Sequence, residues 1–301
     1  MPIDDRDALV FLLALLIDGA LAGAVYALIA LAFVLIYKAS RMINFAIGEW
    51  IMYGALLSAA GGPLLGLGIG GAIAFACVGM AALGLGFNRL VVRRLVARPA
   101  IAAIMVTLGL GAVMRGSAPL LFAGTGAPSL PFAADAVAVF GVRVGADKLA
   151  AAAVAALCVG LVGALWQWSR TGVALRAIAD DPQAALAAGI DVDRHFALVW
   201  AATGIVSVIA GVLWTAVAGA GFGVVLVGLK VFPIVIIGGL DSIPGTIVAA
   251  MAIGVLESLG AGYLDPALGG GFGNVASYLL LLAMLAMRPF GLFGRRQPAR
   301  V

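Results

Sequence analysis

Residues 8–37 read ALVFLLALLIDGALAGAVYALIALAFVLIY, a run broken by one charge, Asp18. A helix needs about 20 apolar residues to cross the ~30 Å hydrocarbon layer, so this run crosses with length to spare. Comparable runs recur at 43–62, 64–87, 99–123, 148–168, 196–221, 222–240, 244–264 and 274–288. Only helices satisfy every backbone group within one segment where water is absent. The whole chain is 64% hydrophobic and 11% charged, and most of the charges fall between the runs, which excludes a soluble globular domain. The predicted fold is all-α: a polytopic integral membrane protein of eight to nine transmembrane helices, a single domain over residues 1–301. The stretch 222–240 contains Lys230 and Pro233 and decides the count. If it crosses there are nine spans, and if it is re-entrant there are eight.

The net charge of +4 reflects topology rather than an anionic partner such as nucleic acid. Arg89, Arg93, Arg94 and Arg98 share one short loop, and Arg170, Arg176 and Arg194 lie in the longest polar stretch. Arg288, Arg295, Arg296 and Arg300 form the tail, and Lys38 and Arg41 flank another break. These 13 of 18 basic residues define the cytoplasmic side by the positive-inside rule. The N-terminus and the 124–147 loop, with Pro128, Pro131, Asp135, Arg143 and Asp147, are then external. The first apolar run is too long for a signal-peptide core and is read as a retained span. Glycines at small-xxx-small spacing, Gly19/Gly23, Gly62/Gly66/Gly70 and Gly219/Gly223, predict close helix packing.

Two polar segments stand out. In the cytoplasmic loop 169–195, Asp180 and Asp181 precede Pro182, then Gln183, Ala184, Ala185 and Leu186, and Gly189 follows. Asp181 suits a helix N-cap, Pro182 the first helical position and Gly189 the residue past the end. So short a helix is not stable alone and must pack on something. It reads either as an ordinary connecting loop or as a helix that docks into a soluble partner. The second segment, Gly238-Gly239-Leu240-Asp241-Ser242-Ile243-Pro244-Gly245, cannot be regular helix throughout. It reads as a tight turn between spans or as a broken or re-entrant element whose helix start offers free N–H groups.

Charge inside a membrane marks function by default, which selects Asp18, Glu49, Arg115, Lys230 and Glu257. Glu49, near a cytoplasmic boundary, reads as a capping group or a partner of Arg41; Arg115 reads as snorkelling or pairing within the bundle, and Glu257 lies deep in its span. No phosphate-binding loop, metal cluster or nucleophile–base set is present in the sequence, and His195 is the sole histidine. The cysteines, Cys77 and Cys158, lie within apolar runs and read as packing residues. The expectation is a protein that is not an enzyme.

Three segments in order resemble the permease subunits of branched-chain amino-acid ABC transporters of the LivH type. They are Ala27–Glu49, ending in Ile43-Asn44-Phe45-Ala46-Ile47-Gly48-Glu49; Arg176–Arg194, with Ala184-Ala185-x-x-x-Gly189; and Gly238–Glu257, with Gly-Gly-x-x-Ser-x-Pro-Gly, then Gly254 and Glu257. The resemblance implies a bacterial inner-membrane permease subunit that itself needs no cofactor. Its expected partners are a second permease subunit, two cytoplasmic ATPase subunits that bind the ATP, and a periplasmic substrate-binding protein. It implies ATPase coupling through Asp180, Asp181, Pro182, Ala184, Ala185 and Gly189. The residues expected along the translocation pathway are Asn44, Glu49, Gly238, Gly239, Ser242, Gly245 and Glu257. One position departs from the pattern: Ile47 stands where the family usually has histidine, which bears on substrate range. Permeases for urea or short amides look similar at this level, and a stand-alone ion-coupled transporter is the alternative from another class.

Overall fold

The computed structural model describes residues 5–95, 98–125, 136–218, 223–288 and 291–294. Of the residues singled out above, Pro128, Pro131, Asp135, Gly219, Arg295, Arg296 and Arg300 lie outside these. Among the described residues, each of the nine apolar runs contains a helix. In chain order the helices are α1 (Asp5–Ser40), α2 (Ile47–Leu65), α3 (Ile69–Phe87), α4 (Arg93–Leu95), α5 (Ala100–Leu121), α6 (Ala146–Trp168), α7 (Arg170–Asp180), α8 (Pro182–Ala187), α9 (Val192–Ala218), α10 (Gly223–Gly238), α11 (Ile243–Leu259), α12 (Asp265–Leu268) and α13 (Phe272–Met287). Wider π-helical turns join α3 to α4 at Asn88–Val92 and α11 to α12 at Gly260–Leu264. Six of the described helical segments are long and apolar enough to cross a membrane. The chain is thus a multi-pass, all-α membrane protein. At 16 residues α10 measures ~24 Å, less than the hydrocarbon thickness.

A small β-hairpin adds to this helical fold. Strand β1 (Ala136–Val139) pairs antiparallel with β2 (Val142–Gly145). Its signal is the two-residue alternation of valines around Phe140-Gly141, where both residues have positive φ, 51° and 84°. That is the twist a two-residue hairpin turn requires. Eight residues of strand are easily passed over beside so many apolar runs.

The chain packs as two compact units, one of residues 1–30, 131–156 and 230–301 and the other of residues 31–130 and 157–229. In the second unit α2, α3 and α9 touch backbone to backbone. A Cβ on Gly54 would stand 2.6 Å from Val208 Cα, and Cβ atoms on Gly84, Gly204 and Gly211 would collide with the carbonyl oxygens of Trp200, Met80 and Ile51. Trp50, Phe87 and Trp200 fill the space beside these contacts with ring centroids 4.9–6.4 Å apart. In the first unit Gly19 and Gly23 press against Val255 and Met251, so the early part of α1 runs antiparallel to α11. The Gly19/Gly23 spacing therefore packs helices as expected. Gly62/Gly66/Gly70 does not: Gly66 is a left-handed C-cap (φ 63°) that ends α2, and Gly66 and Gly70 face open space.

These contacts set a test. Gly204→Val forces a branched side chain against the α3 backbone and is expected to destabilise by at least ~1–3 kcal/mol, as overpacking does. Gly86→Ala, also in α3 but open on its Cβ side, is expected to be neutral. Thermal unfolding of the detergent-purified protein separates the two.

Candidate functional site

Each of the five intramembrane charges meets an opposite charge. Asp18 pairs with Lys148 of α6, and both side chains are partly exposed. Glu49 pairs with Arg115 at 2.7 Å. Glu257 pairs with Lys230 at 2.9 Å. Charge in hydrocarbon persists only when it is paired or faces water, and here three ion pairs absorb it.

The Glu49 pair corrects an expectation. Its partner is Arg115 on α5; Arg41 instead lies over the Tyr37 ring. Nor is Glu49 near a boundary. Gly111, midway along α5, sits under its carboxyl group: a Cβ there would stand 3.1–3.3 Å from the carboxyl atoms. Just upstream, Thr107 accepts from Phe45 N–H and donates to the Ile43 carbonyl. Residues 41–46, between α1 and α2, therefore run beside the middle of a span, ~10–16 Å along α5 from its start. Irregular backbone at such depth is tolerated only where it is buried in protein or lines a cavity. Here Asn44 and Ala46 are buried, Met42, Ile43 and Phe45 are half-buried, and Arg41 at the start of the stretch is exposed. Asn44 is 1% exposed; its Oδ1 accepts from Ala46 N–H, while its Nδ2 has no partner among the described residues. Ile47, where histidine was the expected type, is fully buried in the first turn of α2 beside Gly228. That environment suits an aliphatic side chain.

The second break has the capping expected of it. Ser242 is the N-cap of α11 and accepts from Gly245 N–H, with Pro244 in the first turn. Gly239 has φ 98°, and Ser242 N–H returns to its carbonyl to close the turn. A Cβ on Gly238 would stand 2.6 Å from the Gly245 carbonyl, so α10 and α11 touch where the turn begins. Leu292 N–H bonds the Ile237 carbonyl at 2.7 Å, and Gly291 and Gly294 lie against Ile236 and Gly239. Residues 291–294 thus pack against the break. Gly245 and Glu257 share α11 but lie ~18 Å apart along it. The break and the buried carboxylate are two places, not one.

Glu257 is 8% exposed and its Oε2 accepts twice, from Tyr26 Oη at 2.7 Å and Lys230 Nζ at 2.9 Å. Lys230 also donates to Tyr26 Oη at 3.1 Å. The sequence marked both charges but not their union, and gave no signal for Tyr26. That union depends on α10 folding back on α11 and on the glycine contact of α11 with α1.

The punctuated segment forms as its capping residues require. Asp181 Oδ1 accepts from the N–H groups of Gln183 and Ala184, and Pro182 opens α8. Gly189 (φ 81°) closes it: its N–H bonds Leu186 O and that of Ile190 bonds Ala185 O. This pair is the Schellman arrangement, which needs a residue tolerant of positive φ. Ser169 caps α7, and Arg176 ties α7 to the last carbonyls of α6, those of Trp166 and Gln167. One detail differs from the expected docking face. Ala185 is 4% exposed and faces its own chain, whereas Asp180, Asp181, Pro182, Gln183, Ala184 and Leu186 are exposed. Leu186, 58% exposed, is the large apolar side chain on the free face.

A polytopic helical protein with paired intramembrane charges and an exposed, capped helix outside its spans has the make-up of a membrane transport component. The chain belongs to the family of branched-chain amino acid transport system permease components, whose family model matches residues 15–287. It is 28% identical to the high-affinity branched-chain amino acid transport system permease protein LivH of Escherichia coli strain K12, over 94% of this chain and 96% of that one. It is 27% identical to the corresponding permease protein BraD of Pseudomonas aeruginosa, over 95% and 97%. A probable branched-chain amino acid transport permease protein LivH of Methanocaldococcus jannaschii is 34% identical over 46% of this chain and 45% of its own. Among solved structures, PsaBC from Streptococcus pneumoniae in complex with Fab superposes with a TM-score of 0.44 at 17% identity, over 89% and 90% of the chains.

Removing Arg115 strands a buried carboxylate. Arg115→Leu is expected to cost about 1–3 kcal/mol, less than for a fully buried pair because Arg115 is half exposed. Arg115→Leu combined with Glu49→Gln is expected to recover most of that loss. Unfolding midpoints of wild type and the three variants give the cycle.

Proposed function

We propose that this chain is the membrane-spanning permease subunit of an ATP-driven importer of branched-chain amino acids in the bacterial inner membrane. It forms the translocation pathway with a second permease subunit. Two cytoplasmic ATPase subunits bind and hydrolyse the ATP, and a periplasmic binding protein delivers the substrate. The observation that carries this reading is helix α8: short, capped at both ends, and presenting an apolar side chain outward in a chain of this family. A helix of six residues gains little stability from its own hydrogen bonds. Its caps and its seat on α7 and α9 hold it in place, which suits a lever that takes up movement from a docked partner. Family membership alone supports the substrate class, since LivH and BraD are named for it.

Within this reading Asp181, Pro182 and Gly189 build the coupling helix, Ala185 seats it, and Ala184 and Leu186 face the ATPase, with Asp180 at its entrance. Among the expected pathway residues, Glu257 is the one we place in contact with substrate. Asn44 and Glu49 hold the first break on α5. Gly238, Gly239, Ser242 and Gly245 build the second.

Leu186→Glu puts a charge at the centre of the docking face without touching the fold of the permease. It is expected to reduce co-purification of the ATPase at least about tenfold, as loss of a central apolar anchor does. Gly189→Val strains the left-handed cap and is expected to lower ATPase association as well, with normal membrane abundance. Wild-type association in both variants would remove α8 from the interface.

A further inference from the structure

We propose that Tyr26, Lys230 and Glu257 form a binding site for the zwitterionic head of an α-amino acid. Lys230 takes the α-carboxylate and Oε1 of Glu257 takes the α-ammonium. This rests on the reading of the chain as an amino-acid permease and adds the site at which the substrate's charges are met.

The hydrogen-bond inventory carries the assignment. Both contacts of the Glu257 carboxylate fall on one oxygen, Oε2. The other, Oε1, is buried with no partner among the described residues. An ionised carboxylate accepts on both oxygens, and a buried ion pair kept only for structure needs its remaining lone pairs satisfied. Lys230 is in the complementary state. Its ammonium gives two hydrogens, to Tyr26 and Glu257, and finds no third partner among the described residues. One acceptor and one donor of opposite charge therefore stand open side by side. Their side chains are 10% and 17% exposed, so the pair is enclosed without being sealed.

Charge balance selects the ligand. A lone anion or cation would compensate one residue and leave the other buried and uncompensated, at high cost. A zwitterion replaces the Lys230–Glu257 contact with two contacts and adds no net charge. Tyr26 Oη, already bonded to both residues, can keep one bond to each as they part. The helices place these groups by geometry. Gly23 lies one turn before Tyr26 and Gly254 one turn before Glu257; a Cβ on Gly254 would stand 2.7 Å from Gly23 Cα. Helical side chains lean toward the N-terminus of their own helix. On antiparallel helices Tyr26 and Glu257 therefore lean toward this glycine crossing from opposite directions and meet beside it.

The test uses the complete transporter, with its ATPases and binding protein, in proteoliposomes. Lys230→Gln together with Glu257→Gln removes both charges, leaves no uncompensated one, and keeps hydrogen bonding to Tyr26. A structural pair tolerates this exchange, and a zwitterion site does not. The expected result is normal co-purification of the ATPase subunits with leucine uptake reduced at least about tenfold, the worth of one charge-assisted hydrogen bond. In parallel, the diazirine analogue photo-leucine, illuminated during turnover of the wild-type complex, is expected to label residues within one turn of Tyr26, Lys230 or Glu257. This arm does not depend on the variant assembling. Full leucine uptake by the assembled double variant, or photo-leucine labelling confined to other segments, would overturn the site while leaving the transport reading intact. A wild-type complex that takes up no leucine would overturn both.

Discussion

A charge in hydrocarbon has no water to turn to, and that constraint organises this protein. Asp18, Glu49, Arg115, Lys148, Lys230 and Glu257 close into three ion pairs. Each pair also fixes geometry. Glu49 and Arg115 fasten the start of α2 to α5, and Glu257, Lys230 and Tyr26 draw α11, α10 and α1 together. Such pairs add little net stability, because desolvation offsets much of the Coulomb gain. What they add is register: a helix displaced by one turn would strand a charge.

Close backbone contact is the second requirement, and glycine supplies it. Without a hydrophobic effect between spans, helices associate through packing and polar contacts. Gly54, Gly84, Gly204 and Gly211 do this for α2, α3 and α9, and Gly19, Gly23 and Gly254 for α1 and α11. The same economy serves the two breaks. Thr107 and Asn44 satisfy backbone groups of residues 41–46, and Leu292 satisfies a carbonyl at the end of α10. Both interruptions of helix thus find protein partners for part of their backbone.

Much of this was legible in the sequence, for identifiable reasons. Apolar length reports membrane helices directly, so each of the nine runs contains a helix among the described residues. Capping is local chemistry, so Asp181, Pro182, Gly189, Ser242 and Pro244 occupy the positions their types suggest. What could not be read is what depends on tertiary register. Nothing local says that Glu49 faces Arg115 rather than Arg41, that Ala185 turns inward while Leu186 turns out, or that Tyr26 joins Lys230 and Glu257. The depth of the break after α1 was hidden for a similar reason: Lys38 and Arg41 mark a membrane boundary, yet Ile43 and Phe45 beyond them bond Thr107 of α5. Gly62, Gly66 and Gly70 misled because their spacing ignores the helix end between them.

The central claim is that ATP hydrolysis by docked partners, and not an ion gradient, drives amino-acid movement through this chain. Its most direct test is leucine uptake into proteoliposomes containing the chain with its ATPases, second permease subunit and binding protein, measured with and without ATP and with ionophores that collapse ion gradients. The account predicts uptake that requires ATP and persists when every gradient is collapsed. Uptake that survives removal of ATP and disappears with the ionophores would contradict it.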